Sequence, residues 1–62
     1  MRIKTFKEQD EAVRYAHLCQ QGGINVSLII KTSGFVVCKQ EDEASYNGGA
    51  NHVERFNASS DE

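Results

Sequence analysis

The run NVSLIIKTSGFVVCK, residues 25–39, predicts two β-strands joined by a turn that contains a glycine. In an ordinary half-buried hairpin, apolar and polar residues alternate, so that one face is dry and the other is wet. Here Val26, Leu28 and Ile30 share one face of the first strand, but Ile29 lies on the other. The second face therefore needs a cover, and the nature of that cover guides the prediction of function.

Two elements are predicted before the hairpin. RIKTF at residues 2–6 alternates and contains Ile, Thr and Phe, which is typical of a short strand. Residues 9–21 predict a helix, which QGG ends because Gly22 or Gly23 can take a left-handed conformation. The apolar arc of this helix comprises Ala12, Val13, Tyr15, Ala16, Leu18 and Cys19.

The order of elements predicts a small α+β domain. Residues 1–40 form a β-α-β-β body, with a three-stranded antiparallel sheet and the helix on one face. Residues 41–62 form a polar, acidic C-terminal segment. Residues 40–46 could add a helical turn at its start, and residues 52–56 could add a short strand. The last six residues are expected to be disordered.

Charge is distributed unevenly along the 62 residues, although the net charge is only −2. Residues 1–40 hold six basic and three acidic groups, whereas residues 41–62 hold six acidic groups and one basic group. A mildly basic body thus carries an acidic segment. A domain of this size buries a small core, so association with another chain would add stability.

The turn determines which residues lie on the second face. Residues 32–34, TSG, are typical of a three-residue loop with a left-handed glycine, which places Ile30 opposite Val36 and Leu28 opposite Cys38. The helix then covers the side of the sheet that carries these four residues. The residues left on the second face, and predicted to bind a partner, are Phe6, Ile29, Lys31, Phe35, Val37 and Lys39.

Three covers for this second face are open. The segment around Val53 and Phe56 can fold over it, a second copy or another protein can pack on it, or nucleic acid can bind there. Single-stranded bases would stack on Phe6 and Phe35 while basic side chains neutralise phosphates. We expect a small regulatory or accessory protein that acts by protein–protein binding, with single-stranded nucleic acid as the alternative. Protein ranks first because the whole chain is acidic.

No pattern for catalysis or metal binding stands out. The soft ligands are His17, Cys19, Cys38 and His52, but their spacing matches no zinc site, and the first two point about 200° apart on a helix. The chain offers no nucleophile with a positioned base, and it is too small to enclose a typical ligand pocket easily. We expect no enzyme activity, no cofactor, no metal and no small-molecule substrate.

Cytoplasmic localisation is expected. The N-terminal residues contain no apolar signal segment, and no apolar run approaches the length of a membrane span. Two cysteines are too few for the disulfide framework of a small secreted domain.

Overall fold

The structure, a computed structural model, describes residues 3–58 as one antiparallel sheet with two helices. This arrangement confirms the α+β class, but the sheet has four strands rather than three, in the order β1-β3-β2-β4. The fourth strand was left out of the predicted sheet, and it pairs along the outer side of β2. The elements are β1 (Lys4–Phe6), α1 (Gln9–Gln21), β2 (Val26–Lys31), β3 (Gly34–Lys39), a 3₁₀ turn (Gln40–Asp42), α2 (Glu43–Tyr46) and β4 (His52–Phe56).

Helix α1 has the predicted bounds, and its end is a Schellman motif. The Ile24 N–H donates to the Cys19 carbonyl at 2.9 Å, and the Gly23 N–H donates to the Gln20 carbonyl at 3.1 Å. Gly23 has a φ of 89°, which a residue with a side chain rarely adopts. The two glycines therefore stop the helix and turn the chain into β2.

The face that α1 turns toward the sheet is centred on two small residues. Ala12 and Ala16 are fully buried, whereas Leu18, predicted to belong to the same arc, is 62% exposed. Each residue advances a helix by about 100°, so Leu18 points about 120° away from Ala12. The predicted arc was thus too wide at Leu18.

The turn between β2 and β3 contains two residues, Thr32 and Ser33, and Gly34 begins β3 opposite Lys31. The predicted three-residue loop was wrong. Gly34 has a φ of 151°, and a Cβ at this position would lie 2.9 Å from the carbonyl oxygen of Phe6. Glycine is therefore needed where the turn passes the end of β1.

Replacing Gly34 with alanine is expected to lower the free energy of unfolding by about 1–3 kcal/mol, because the added methyl group meets fixed backbone and the φ is unfavourable. Gly48→Ala is the matched control, since a Cβ there meets nothing within 4 Å and its φ is not positive. Urea unfolding of both variants measures the difference. Equal losses would contradict the close approach of Phe6 to the turn.

The shorter turn reverses the predicted faces of β3. A change of one residue in register moves every side chain of a strand to the other face. Phe35 and Val37 therefore pack against the helix beside Leu28, while Val36 and Cys38 lie on the opposite face. This register places the larger side chains, Phe35 and Val37, between sheet and helix, which removes more apolar surface from water.

A single core fills the space between the sheet and α1. Its buried members are Ala12, Ala16, Val26, Leu28, Val37 and Phe56.

The C-terminal segment covers the sheet face opposite α1. Ser27, Ile29 and Cys38 on that face are fully buried, and α2 packs on β3. Of the three covers considered, the chain's own segment is the one present in the structure. Phe56, however, was expected in this cover but lies on the helix side, within the core.

One carboxylate fastens this cover to the sheet. Glu43 accepts a hydrogen bond from the Ser27 hydroxyl at 2.6 Å and two from the Arg55 guanidinium at 2.9 and 2.7 Å. These bonds hold the pKa of Glu43 below its usual value, which favours the charged form that makes them. Burial, followed by the nearby Asp42 and Glu43, raises the pKa of the Cys38 thiol. The thiol is therefore protonated and shielded beneath the cover.

The residues after β4 are anchored as far as the structure describes them. Gln20 donates to the Asn57 carbonyl at 2.8 Å, and the Ala58 N–H donates to the Asn25 side-chain oxygen at 2.7 Å. Asn57 and Ala58 thus make defined contacts, whereas the other residues predicted to be disordered, 59–62, lie outside the described residues. Arg2, predicted to begin β1, also lies outside them. No helix within residues 3–58 has the length and apolarity needed to cross a membrane.

Candidate functional site

The six predicted partner-binding residues do not share one face. Ile29 and Val37 are fully buried, on opposite sides of the sheet, so neither can contact a partner in this fold. Lys39 alternates with Val37 and so lies on the helix side, with its Nζ atom 3.7 Å from a Glu41 carboxylate oxygen. The register change explains the misplacement of Val37 and Lys39.

The other three residues line one groove, at the end of the sheet where β2 turns into β3. Phe6, Lys31 and Phe35 are half-buried there, around a space of about 270 Å³. We call this space the hairpin groove. Its lining residues are Thr5, Phe6, Lys7, Lys31, Ser33, Gly34, Phe35 and Val36.

Strand pairing and the tight turn build the hairpin groove. Antiparallel pairing sets Phe6 of β1 directly opposite Phe35 of β3, so both rings lie on the helix side. Lys7 follows at the end of β1, and Lys31 is the last residue of β2. Because Gly34 lacks a Cβ, the turn can pass close to the carbonyl oxygen of Phe6 at the end of β1.

Aromatic packing fixes the apolar wall of the groove. The Phe6 ring lies 5.5 Å from the Tyr15 ring of α1 at a tilt of 46°, a separation at which aromatic rings pack favourably. Lys4 extends over the same Tyr15 ring, 5.8 Å from its centroid. Burial, followed by the neighbouring Cys19, raises the pKa of Tyr15, so its hydroxyl remains protonated. The apolar wall of the groove is thus preformed, because its rings pack against the edge of the core.

The charge of the groove is positive. Lys7 and Lys31 line it, and no acidic residue does. Within residues 3–58, the salt bridges join Lys39 to Glu41 and Arg55 to Glu43, so neither lysine of the groove is paired there. The groove can therefore accept an anionic group beside an apolar one. Its volume lies just below the range of typical small-molecule sites and fits one or two side chains.

A second groove, of about 340 Å³, lies at the opposite end of the sheet and is less suited to a charged partner. It is lined by residues 23–25 and 39–41. Lys39 and Glu41 lie 3.7 Å apart within it, so their charges largely offset each other. The hairpin groove is therefore the better candidate site.

Lys7, Thr5 and Ser33 were not among the predicted site residues, although they line the hairpin groove. Lys7 falls in the polar link between β1 and α1, and only the pairing of β1 with β3 brings it to the turn. The pattern of the sequence reveals strands but not their order in the sheet. Ser33 would have been placed at this end of the sheet if the sequence had been interpreted as a two-residue turn.

No three His, Cys, Asp or Glu side chains of the described chain converge in a way that could hold a metal ion. Comparison with protein-family models, curated proteins and solved structures gave no match. The geometry of the hairpin groove therefore carries the functional argument.

Proposed function

We propose that this chain is a small, non-enzymatic regulatory or accessory protein that binds a partner protein through the hairpin groove. The partner contributes a short acidic segment with an apolar side chain. The supporting observation is the composition of the groove, which half-buried Phe6 and Phe35 line from the helix side of the sheet and Lys31 from the opposite side, together with Lys7 and no acidic residue. The apolar side chain packs against the rings, and a carboxylate of the partner faces Lys7 and Lys31.

This surface differs from the one expected from the sequence pattern. On the face opposite α1, Ile29 and Cys38 are fully buried, and α2 packs on β3. A partner on that face would first have to displace the Glu43 interactions with Ser27 and Arg55. The groove needs no such displacement, since it is open at the end of the sheet.

Single-stranded nucleic acid suits the groove less well. Bases stack on exposed aromatic faces along a continuous basic path, whereas Phe6 and Phe35 are half-buried and pack against the core. A space of about 270 Å³ does not provide such a path. The net charge of −2 also disfavours a phosphate backbone.

Lys31→Glu is expected to weaken binding of short labelled peptides that combine Glu with one Leu or Phe, by about tenfold, because the introduced carboxylate repels their anionic groups. Fluorescence anisotropy at two salt concentrations measures the change. Lys39→Glu is the matched control: it carries the same change of charge outside the groove and should alter affinity by less than about twofold. Peptides with Gln in place of Glu should bind weakly to the unmodified chain.

Phe35→Ala is a poorer probe, because Phe35 also packs against the core and its loss would destabilise the domain. A labelled single-stranded oligonucleotide provides the opposing measurement. Tighter binding of the oligonucleotide than of the peptides, lost in Lys31→Glu, would assign the groove to nucleic acid. Equal effects of Lys31→Glu and Lys39→Glu on affinity would contradict binding through the hairpin groove.

A further inference from the structure

The outer edge of β4 is a second surface that the fold leaves without a partner. β4 ends the sheet, and among the described residues no strand pairs with its outer side. It has five residues, against three in β1 at the opposite edge. Such an edge presents backbone N–H and C=O groups that another strand can pair with.

The side chains of β4 alternate between the two faces of the sheet. Phe56 lies on the helix side, so His52 and Glu54 lie there too, and both are exposed. Val53 and Arg55 lie on the opposite side, where Arg55 is bound to Glu43. Charged groups on an edge strand oppose pairing with unrelated strands, so the partner must match them.

Among the registers centred on the three middle residues of β4, a second copy of the chain matches them in one. A two-fold axis perpendicular to the sheet pairs β4 antiparallel with itself and keeps both α1 helices on the same side. If the axis passes Glu54, that carboxylate faces its own copy; if it passes Arg55, two guanidinium groups face each other. Like charges directly opposite are destabilising.

The axis at Val53 gives the favourable arrangement. Val53 then meets Val53 of the second copy, while His52 faces Glu54 of the second copy, and the same contact repeats across the axis. We infer that two copies of this chain pair through β4 in this register, joining two four-stranded sheets into one continuous sheet. The inference rests on the edge of β4 and stands apart from the role of the hairpin groove.

Charge exchange across the axis tests this register. Sedimentation equilibrium of the full chain is expected to show a mass that rises with concentration toward twice 6.9 kDa. His52→Glu places a carboxylate opposite Glu54 of the second copy and should raise the dimer dissociation constant about tenfold. The double variant His52→Glu with Glu54→Lys places opposite charges there again and should return the constant to within about threefold of the original.

Gln9→Glu is the control, since it adds the same charge at an exposed position outside β4. It should leave the dissociation constant unchanged. A monomer at every concentration overturns the inference, and so does a dimer that His52→Glu does not weaken. Weakening by His52→Glu without recovery in the double variant overturns the register.

Discussion

Replacing Leu28 with alanine is expected to lower the free energy of unfolding by about 2–5 kcal/mol. Leu28 is 1% exposed at the centre of β2, and it packs within the core between the sheet and α1. The change removes apolar contacts and leaves a cavity that the surrounding sheet can fill only in part. A domain of 62 residues has a total stability of about 3–9 kcal/mol, so the loss is a large part of the whole.

Leu18→Ala is the matched control for this result. It is the same chemical change at a position that is 62% exposed on α1, and it should alter stability by no more than about 0.5 kcal/mol. Urea unfolding followed by circular dichroism measures both variants. Similar losses in the two would mean that the helix packs on the sheet by a different face.

The parts of the fold that depend on local pattern could be predicted from the sequence. Helix α1 is set by the spacing of its apolar residues and by the glycines that close its end, and these signals lie within the helix itself. The strands at residues 26–31 and 34–39 are set by their β-branched residues. Local chemistry was sufficient for these elements because neighbouring residues carry the signal.

The register of β2 against β3 could not be predicted from this local pattern. The residues Thr32, Ser33 and Gly34 are compatible with a loop of two or three residues, since either loop can use a glycine with positive φ. The choice depends on which β3 side chains fill the core against α1, and that is a property of the packed structure. One residue of difference moved Phe35 and Val37 from the predicted partner face into the helix side.

The C-terminal segment shows the same limit over longer range. Its polar composition suggested a tail, yet Glu43 reaches Ser27 of β2 and Arg55 of β4. Each of these residues alone is ordinary for a surface. Their hydrogen bonds join positions 12 and 16 residues apart, so no local pattern predicts them. Because both faces of the hairpin carry apolar residues, the sequence indicated that a cover exists. It did not indicate which part of the chain supplies the cover.

This cover changes where function can reside. The four-stranded sheet has α1 on one face and α2 on the other, so the centre of each face is covered. Its accessible features are therefore the edges and ends: the hairpin groove at one end, and the outer side of β4 at one edge. Both are positioned by β2, which sits between β3 and β4 and carries Lys31 at its last position.

Truncation after Lys39 is expected to abolish cooperative unfolding. The shorter chain loses β4, so β2 becomes an edge strand and the core loses Phe56. It also loses α2, which exposes Ile29 and Cys38 to water. Exposure of this second apolar face and loss of part of the core together exceed the small stability of a domain of this size. Binding of a hydrophobic dye and urea unfolding measure the effect.

Cys38 provides a direct test of whether the cover is responsible. In a Cys19→Ser background, the Cys38 thiol of the full chain should react slowly with a thiol reagent, because it is fully buried and its pKa is raised. After truncation at Lys39, the Cys38 thiol should react at the rate of a solvent-exposed thiol. Truncation after Ala58 is the control, since it keeps every contact described above and should leave reactivity and melting temperature unchanged. A chain ending at Lys39 that still unfolds cooperatively, with Cys38 protected, would show that the β-α-β-β body encloses its second face without the C-terminal segment.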